Sequence, residues 1–242
     1  MSTEPFEDVL PRPDGTFCWV DLKTRDPGAT AAFFAAVLGW SFEIDQDSWR
    51  QATVITTGGG HRIGGLSDLS AAIYPPETPA HIAHYLAVTA LDARVAAAVE
   101  AGAQVLVPPF DAGDDGRIAT LLDPFGVAVS LWQRTPCQGW THPPETVAAP
   151  GRLRHLSASP VAAAEFYPRA FGMTDHNAEF AEFDKGNAMA GWNLIVTVDS
   201  VAEIERRAAG LPSGSCRAHA MDGRSVAAEL TGPDGLTFFV ES

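Results

Sequence analysis

Asp26-Pro27-Gly28-Ala29-Thr30-Ala31-Ala32-Phe33-Phe34-Ala35-Ala36-Val37-Leu38-Gly39-Trp40 carries a full set of helix start and stop signals. Asp26 can cap, Pro27 suits the first helical position, and Gly39 stands just past the end. The same pattern returns 133 residues later as Ser159-Pro160-Val161-Ala162-Ala163-Ala164-Glu165-Phe166-Tyr167-Pro168-Arg169-Ala170-Phe171-Gly172-Met173. Both copies place an aromatic pair in mid-helix.

Two further pairs of stretches follow in the same order. Tyr85–Asp92 resembles Ile195–Ala202: each is an apolar strand leading into a short helix that ends in Ala-Gly, at Gly102 and Gly210. Ser200 and Glu203 form a capping box on the later helix. Asp123-Pro124-Phe125-Gly126 and Gly232-Pro233-Asp234-Gly235 are turns that each feed a short strand. Three matched signposts in one order mean an internal duplication. The division is an N-terminal tail over 1–14, a first domain over 15–134, a Pro- and Gly-rich linker over 135–150, and a second domain over 151–242. The offset falls from 133 to about 110, so the second domain has lost about 23 residues next to its first helix.

Within the first domain, strands are expected at Thr16–Leu22, Phe42–Asp45, Trp49–Thr56, Arg62–Leu66, Ile82–Val88, Val105–Phe110, Arg117–Leu122 and Val127–Gln133, with helices at Pro27–Leu38 and Asp92–Ala101. That is two βαβββ units, an α+β class. Phe33 with Val37, Phe34 with Leu38, and Val95 with Val99 are four apart and should face the sheet. Alternation puts Val20, Leu22, Val129 and Leu131 on the helix side. It puts Trp19, Asp21, Ser130 and Trp132 on the other side, with His81, Ala83 and Tyr85. Cys18 falls on the helix side.

Lys and Arg total 16 against 30 Asp and Glu, a formal charge of −14. This argues against nucleic acid, anionic membrane surfaces and strongly anionic substrates as general partners. The acidic N-terminus lacks the apolar core of a signal peptide. Three scattered cysteines, Cys18, Cys137 and Cys216, make neither a disulfide framework nor a zinc knuckle, and the expected compartment is the reducing cytoplasm. The Gly58-Gly59-Gly60 run lacks the Gly-Lys-Ser/Thr of a phosphate loop and belongs to a hairpin. No Gly-x-Ser-x-Gly elbow is present.

The run Trp19…Asp21…Asp26-Pro27, the helix closing on Leu38-Gly39-Trp40, and Asp123-Pro124-x-Gly126 resemble the vicinal oxygen chelate superfamily, the fold of glyoxalases, bleomycin-resistance proteins and extradiol dioxygenases. The tandem arrangement is similar to a branch found in actinomycete antibiotic clusters. The resemblance implies two tandem glyoxalase-like domains, each curling paired βαβββ units around a cleft. It also implies four strand positions that can supply His, Glu or Gln to a divalent metal. Carried onto this chain, these positions fall on Trp19, near Gly65 with Ser67 as the nearest polar residue, on Ala83 and on Ser130. In the second domain they fall on Arg152, Asn193 and Phe239. None is imidazole or carboxylate, the donors such a metal wants, and arginine is permanently protonated. The expectation is therefore no metal and no cofactor.

The first cleft would be lined by Trp19, Trp49, Tyr85 and Trp132, with Asp21, Gln51, His81 and Ser130 as polar points. Aromatic walls with a few hydrogen-bonding groups suit a flat, partly apolar ligand. The same aromatics could equally fill a core or a domain interface. Asp21 with His81 is a candidate acid/base pair if their strands face each other, and Asp21 alone could be a solvated strand residue. His81 and His84, three apart on a strand, point to opposite faces and cannot share an ion. Arg152 and Arg154 share a face and could clamp a ligand carboxylate or enolate, or simply make salt bridges. The function expected is metal-free binding of an aromatic or polyketide-like natural product, for self-resistance by sequestration or as an accessory in its biosynthesis. The alternatives are an isomerase or cyclase using Asp21 and His81, a lyase with an atypical metal site, or a module without ligand. Internal duplication favours a monomer, with a homodimer as the alternative.

Overall fold

A computed structural model describes residues 12–46, 52–134, 139–140, 142–143, 145–182, 190–220 and 226–242. Trp49, Gln51 and Cys137 lie outside the described residues. The first sheet has eight strands: β1 (Phe17–Thr24), β2 (Ser41–Ile44), β3 (Thr53–Thr56), β4 (Arg62–Asp68), β5 (His81–Ala87), β6 (Gln104–Asp111), β7 (Arg117–Leu122) and β8 (Ala128–Gln133). Their order is β2-β3-β4-β1-β5-β8-β7-β6, with β1 parallel to β4 and β5 parallel to β8. Helices α1 (Pro27–Leu38) and α2 (Leu91–Glu100) make the crossovers.

The second sheet has six strands: β9 (Pro150–Ser157), β10 (Ala178–Glu182), β11 (Gly191–Thr197), β12 (Ser215–Ala220), β13 (Val226–Thr231) and β14 (Thr237–Glu241). Their order is β10-β9-β11-β14-β13-β12. Helices α3 (Pro160–Phe171) and α4 (Val201–Ala209) take the places of α1 and α2. The lost residues have a clear structural counterpart. β10 runs parallel to β9 as β4 does to β1, and no strands equivalent to β2 and β3 occur among the described residues.

The helix signals operate as read for α1. The Asp26 carboxylate accepts from the Ala29 amide at 2.9 Å, and Gly39 takes the left-handed conformation (φ 71°) that side chains resist. Ser159 makes no such cap bond on α3, whereas Ser200 accepts from the Glu203 amide on α4. On α2 the buried positions are Leu91, Val95 and Ala98, while Val99 is 47% exposed. The expectation for Val99 is thus corrected: the buried stripe advances by three from Val95, not four.

Helix-facing side chains of both sheets enter one continuous core. α1 packs against α4, and α2 against α3. Phe34 and Trp40 of the first half pack on Phe238 of the second, Trp40 nearly parallel to it at 5.8 Å. The concave faces of the two sheets therefore turn away from each other.

Each half also grips the other through a turn carboxylate. Asp123 accepts from His155 Nε2 and the Tyr167 hydroxyl, both at 2.9 Å, and Asp234 accepts from the Thr24 hydroxyl at 2.7 Å and the Arg25 amide at 2.6 Å. Among the described residues no helix is long and apolar enough to cross a membrane.

Candidate functional site

The concave face of the first sheet is built by strand alternation. β1 pairs antiparallel with β5 so that Trp19 faces Tyr85, Asp21 faces Ala83 and Lys23 faces His81. β5 pairs with β8 so that Tyr85 faces Ser130. Trp19, Tyr85 and Ser130 thus form one row across the sheet. The register shifts between Phe17 and Trp19, and Cys18 is the extra residue. It packs with Ala87 and Trp132 on the concave side, not on the helix side as alternation alone would have it. Burial pushes the Cys18 thiol up to about 12, with Arg134 and Arg12 opposing, so it is inert at neutral pH.

The aromatics of this face pack on one another, with Trp132 enclosed and Trp19 and Tyr85 half-buried. Trp132 is 5% exposed and meets Trp19 at 6.2 Å and Tyr85 at 6.0 Å, both edge to face. The Trp132 indole donates to the Asp115 carbonyl at 2.6 Å, and the Ser130 and Thr120 hydroxyls bridge at 2.8 Å. Arg62 lies over the Trp19 ring at 5.9 Å and pairs with Asp45.

Asp21 and His81 are not brought together by any bond. Asp21 accepts from Lys23 Nζ at 2.5 Å and from the Ser67 hydroxyl at 2.7 Å, whereas exposed His81 bonds the Pro79 carbonyl through Nδ1. Lys23 is the residue that sequence reading passed over. Its Nζ also reaches the Tyr74 hydroxyl at 3.2 Å and lies 5.1 Å from that ring's centre. Burial works against its charge, but Asp21, Tyr85 and Tyr74 outweigh burial and hold it well above the ordinary lysine range. The available signal was its parity: Lys23 is two residues past Asp21, hence on the same face. On the opposite face His84 is buried against Val20, with Nε2 unpartnered among the described residues.

The arrangement can be tested for a metal. Trp19 offers an indole, Ser130 a hydroxyl already bridged to Thr120, and Ala83, opposite Asp21, offers no donor. The fourth-strand position is Gly65, where a Cβ would stand 3.1 Å from Asp21 Oδ1 and 3.4 Å from Trp19 Nε1. A side chain there would press on the Asp21 carboxylate, and glycine itself offers no donor. On the second sheet the corresponding row is Arg152, Ile195 and Phe239, with Asn193 opposite Arg154. The carboxylate on β10, Glu179, is held by both Arg152 and Arg154, and Arg152 also pairs with Glu241. Neither donor set suits a divalent ion.

Open volume lies elsewhere. A cavity of about 800 Å³ sits at one end of the second sheet. It is walled by the segment around Arg12 and Phe17, by Trp140 and His142, by the loop at Asp175, and by Arg152, Ile195 and Glu241.

This geometry has known counterparts. Residues 19–132 match the family model described as a glyoxalase-like domain. Over 258 aligned residues, 93% of this chain and 94% of the relative, the sequence is 31% identical to the putative glyoxylase CFP32 of Mycobacterium tuberculosis. The chain belongs to the glyoxalase-like family of the vicinal oxygen chelate superfamily. Within this family it is 25% identical to the anthracycline biosynthesis protein DnrV of Streptomyces peucetius, over 66% of this chain and 61% of that one. The Mn(II)-bound glyoxalase of Novosphingobium aromaticivorans superposes with a TM-score of 0.63 at 15% identity, covering 95% of this chain and 82% of that chain. Homoprotocatechuate 2,3-dioxygenase of Brevibacterium fuscum does so with a TM-score of 0.62 at 13% identity, covering 98% and 83%. At such identities the glyoxalase-like solved structures speak for the tandem fold, not for a reaction.

Proposed function

We propose that the protein binds an aromatic, polyketide-like natural product without a metal ion, holding it for self-resistance by sequestration or as an accessory in its biosynthesis. The observation that carries this reading is the row Trp19–Tyr85–Ser130 beside Gly65. At the positions where the superfamily can hold a metal, this chain has the Trp19 indole, Gly65, Ala83 and the bridged Ser130 hydroxyl, and Tyr85 adds a second ring between Trp19 and Ser130. Trp19 and Tyr85 keep part of their ring surface at solvent, and Lys23 stands beside them as a donor for a ligand carbonyl or phenolate. The anthracycline biosynthesis relatives DnrV and DauV supply the natural-product context.

The catalytic alternative built on Asp21 and His81 draws no support from the geometry, because Lys23 and Ser67 already engage the Asp21 carboxylate.

The test has two parts. Elemental analysis of protein purified without chelator should find no stoichiometric divalent metal; one equivalent bound at the concave face would overturn the reading. Anthraquinone-type polyketides should quench tryptophan fluorescence. Stacking contributes on the order of 1 kcal/mol per ring beyond area burial, so Trp19→Ala should weaken binding about tenfold. Unchanged affinity in that variant removes Trp19 from the site.

A further inference from the structure

The cavity at the end of the second sheet differs in chemistry from the first concave face. We propose that it is a separate small-molecule site, for a partly apolar ligand carrying an acidic group that pairs with Arg12. This goes beyond the metal-free reading above and does not depend on the first sheet.

The volume, about 800 Å³, lies within the range of about 300–1,000 Å³ typical of small-molecule pockets. Its apolar wall includes Phe17, Trp140, Leu153 and Ile195, all under 7% exposed. Trp140 is fixed at both ends: its amide donates to the Cys18 carbonyl at 2.8 Å and its indole to the Ile63 carbonyl at 2.7 Å. Trp140 is thus a fixed, nearly enclosed part of the wall that holds Arg12 in place.

Two cations stand in the wall. Arg152 is paired twice, with Glu179 and Glu241. Arg12 makes no ion pair among the described residues. Its guanidinium lies over Trp140 at 5.6 Å and gives one long bond, 3.3 Å, to the His142 carbonyl. A guanidinium carries five donors, so most of them remain for a ligand. Burial lowers the Arg12 pKa from its ordinary value, and Asp175 opposes this only in part. A second negative group beside Arg12 would relieve that desolvation.

The carboxylates nearby do not take this role. Asp175 accepts from the amides of Phe17 and Asn177, both at 2.9 Å, and Glu241 belongs to Arg152. Glu145 and Asp199 are exposed at the rim, where water and salt screen them. His142 adds no charge: burial pushes it down to about 4, and its Nδ1 donates to the Pro143 carbonyl. The acidic group therefore belongs at Arg12, with the rest of the ligand reaching towards the exposed Val147 on the solvent side.

The probe is anthraquinone-2-carboxylate, compared with its uncharged carboxamide, titrated against the full chain by calorimetry. The carboxylate should bind at least about tenfold tighter than the carboxamide. Arg12→Gln should remove that preference. Val147→Trp, which fills the cavity from its solvent side, should remove the same preference. Thermal unfolding of both variants establishes that they are folded; if Arg12→Gln is not, Val147→Trp alone decides.

Equal binding of the two probes, unchanged carboxylate binding in either folded variant, or no carboxylate binding up to about 1 mM overturns the proposal. A carboxylate preference that survives in folded Val147→Trp overturns this proposal, whereas binding of both probes that is lost in Trp19→Ala reports the first-sheet reading alone.

Discussion

Replacing Asp123 by Ala should be among the most destabilising single changes in this chain. The carboxylate comes from a turn of the first half and is 3% exposed inside the second half's packing. Oδ1 accepts from the Phe125 and Val127 amides at 2.8 Å each, and Oδ2 accepts from the Tyr167 hydroxyl and His155 Nε2 at 2.9 Å each. Tyr167 in turn accepts from the Trp192 indole at 2.8 Å. Truncation strands two fully enclosed side-chain donors among aromatic rings, at about 1–3 kcal/mol each, and frees two backbone amides. Two stranded donors at that cost set an expected total of about 2–6 kcal/mol. It is a large share of a domain stability of about 5–15 kcal/mol. Urea unfolding followed by circular dichroism gives the number, provided the slope with denaturant is unchanged. Asp234→Ala is the matched control. Asp234 does the same interdomain work at the surface, where water replaces its bonds to Thr24 and Arg25, so it should lose only about 1 kcal/mol. An Asp123→Ala loss below about 1 kcal/mol, or one equal to that of Asp234→Ala, would refute the argument that enclosure sets the magnitude.

Other outcomes follow from the same structure. Burial, helped by the neighbouring His81, pushes His84 down to about 3, so the unfolded chain binds more protons than the folded one below its ordinary value. Stability should therefore fall as pH drops from about 6.5, by up to about 1.4 kcal/mol per pH unit, and His84→Leu should flatten that slope by one proton's worth. His142 contributes in the same window, so the comparison is between wild type and variant at each pH. Lys23→Met leaves a nearly enclosed Asp21 carboxylate without its cation and should cost about 2–4 kcal/mol in urea unfolding. Adding Asp21→Asn should recover part of it; no recovery would mean that Lys23 matters through its packing alone. Trp40→Ala removes a ring stacked on Phe238 and an indole bond to the Ala148 carbonyl, and should lower stability by about 3–5 kcal/mol.

Much of the fold was legible because duplication printed it twice. The helix Pro27–Leu38 has the bounds its cap signals imply, since Asp, Pro and Gly each act locally on the backbone. Strand alternation placed Trp19, Asp21, Ser130 and Trp132 on one face, and it failed at Cys18, where a bulge adds a residue that no local pattern announces. Val99 was misread because a helix stripe drifts between steps of three and four.

The candidate site was less legible. Lys23 was within reach of the parity argument, but the pairing that engages Asp21 depends on Ser67, 46 residues away. The Asp123–His155–Tyr167 contact and the cavity around Arg12 join segments over a hundred residues apart or from different halves. Only the packing of one half on the other creates them. Arg152 and Arg154 carried two readings in the sequence, ligand clamp or ion pair. Glu179, which engages both, sits on a strand that the sequence could not register.

The hairpin β2–β3 touches the shared core through little more than Ile55 and the half-buried Phe42. The rest of it extends the outward concave face at a free edge. Such a piece is separable: a duplicated chain can shed it from one copy and still keep the helices, the central strands and the reciprocal carboxylate grips intact. The second half has the form such a pruning leaves, and its outward face differs from the first in size and chemistry over a single shared interior. For engineering, the β2–β3 stretch between α1 and β4 is accordingly a natural place to shorten, extend or graft in the first half, with the short connection between α3 and β10 as its already trimmed counterpart.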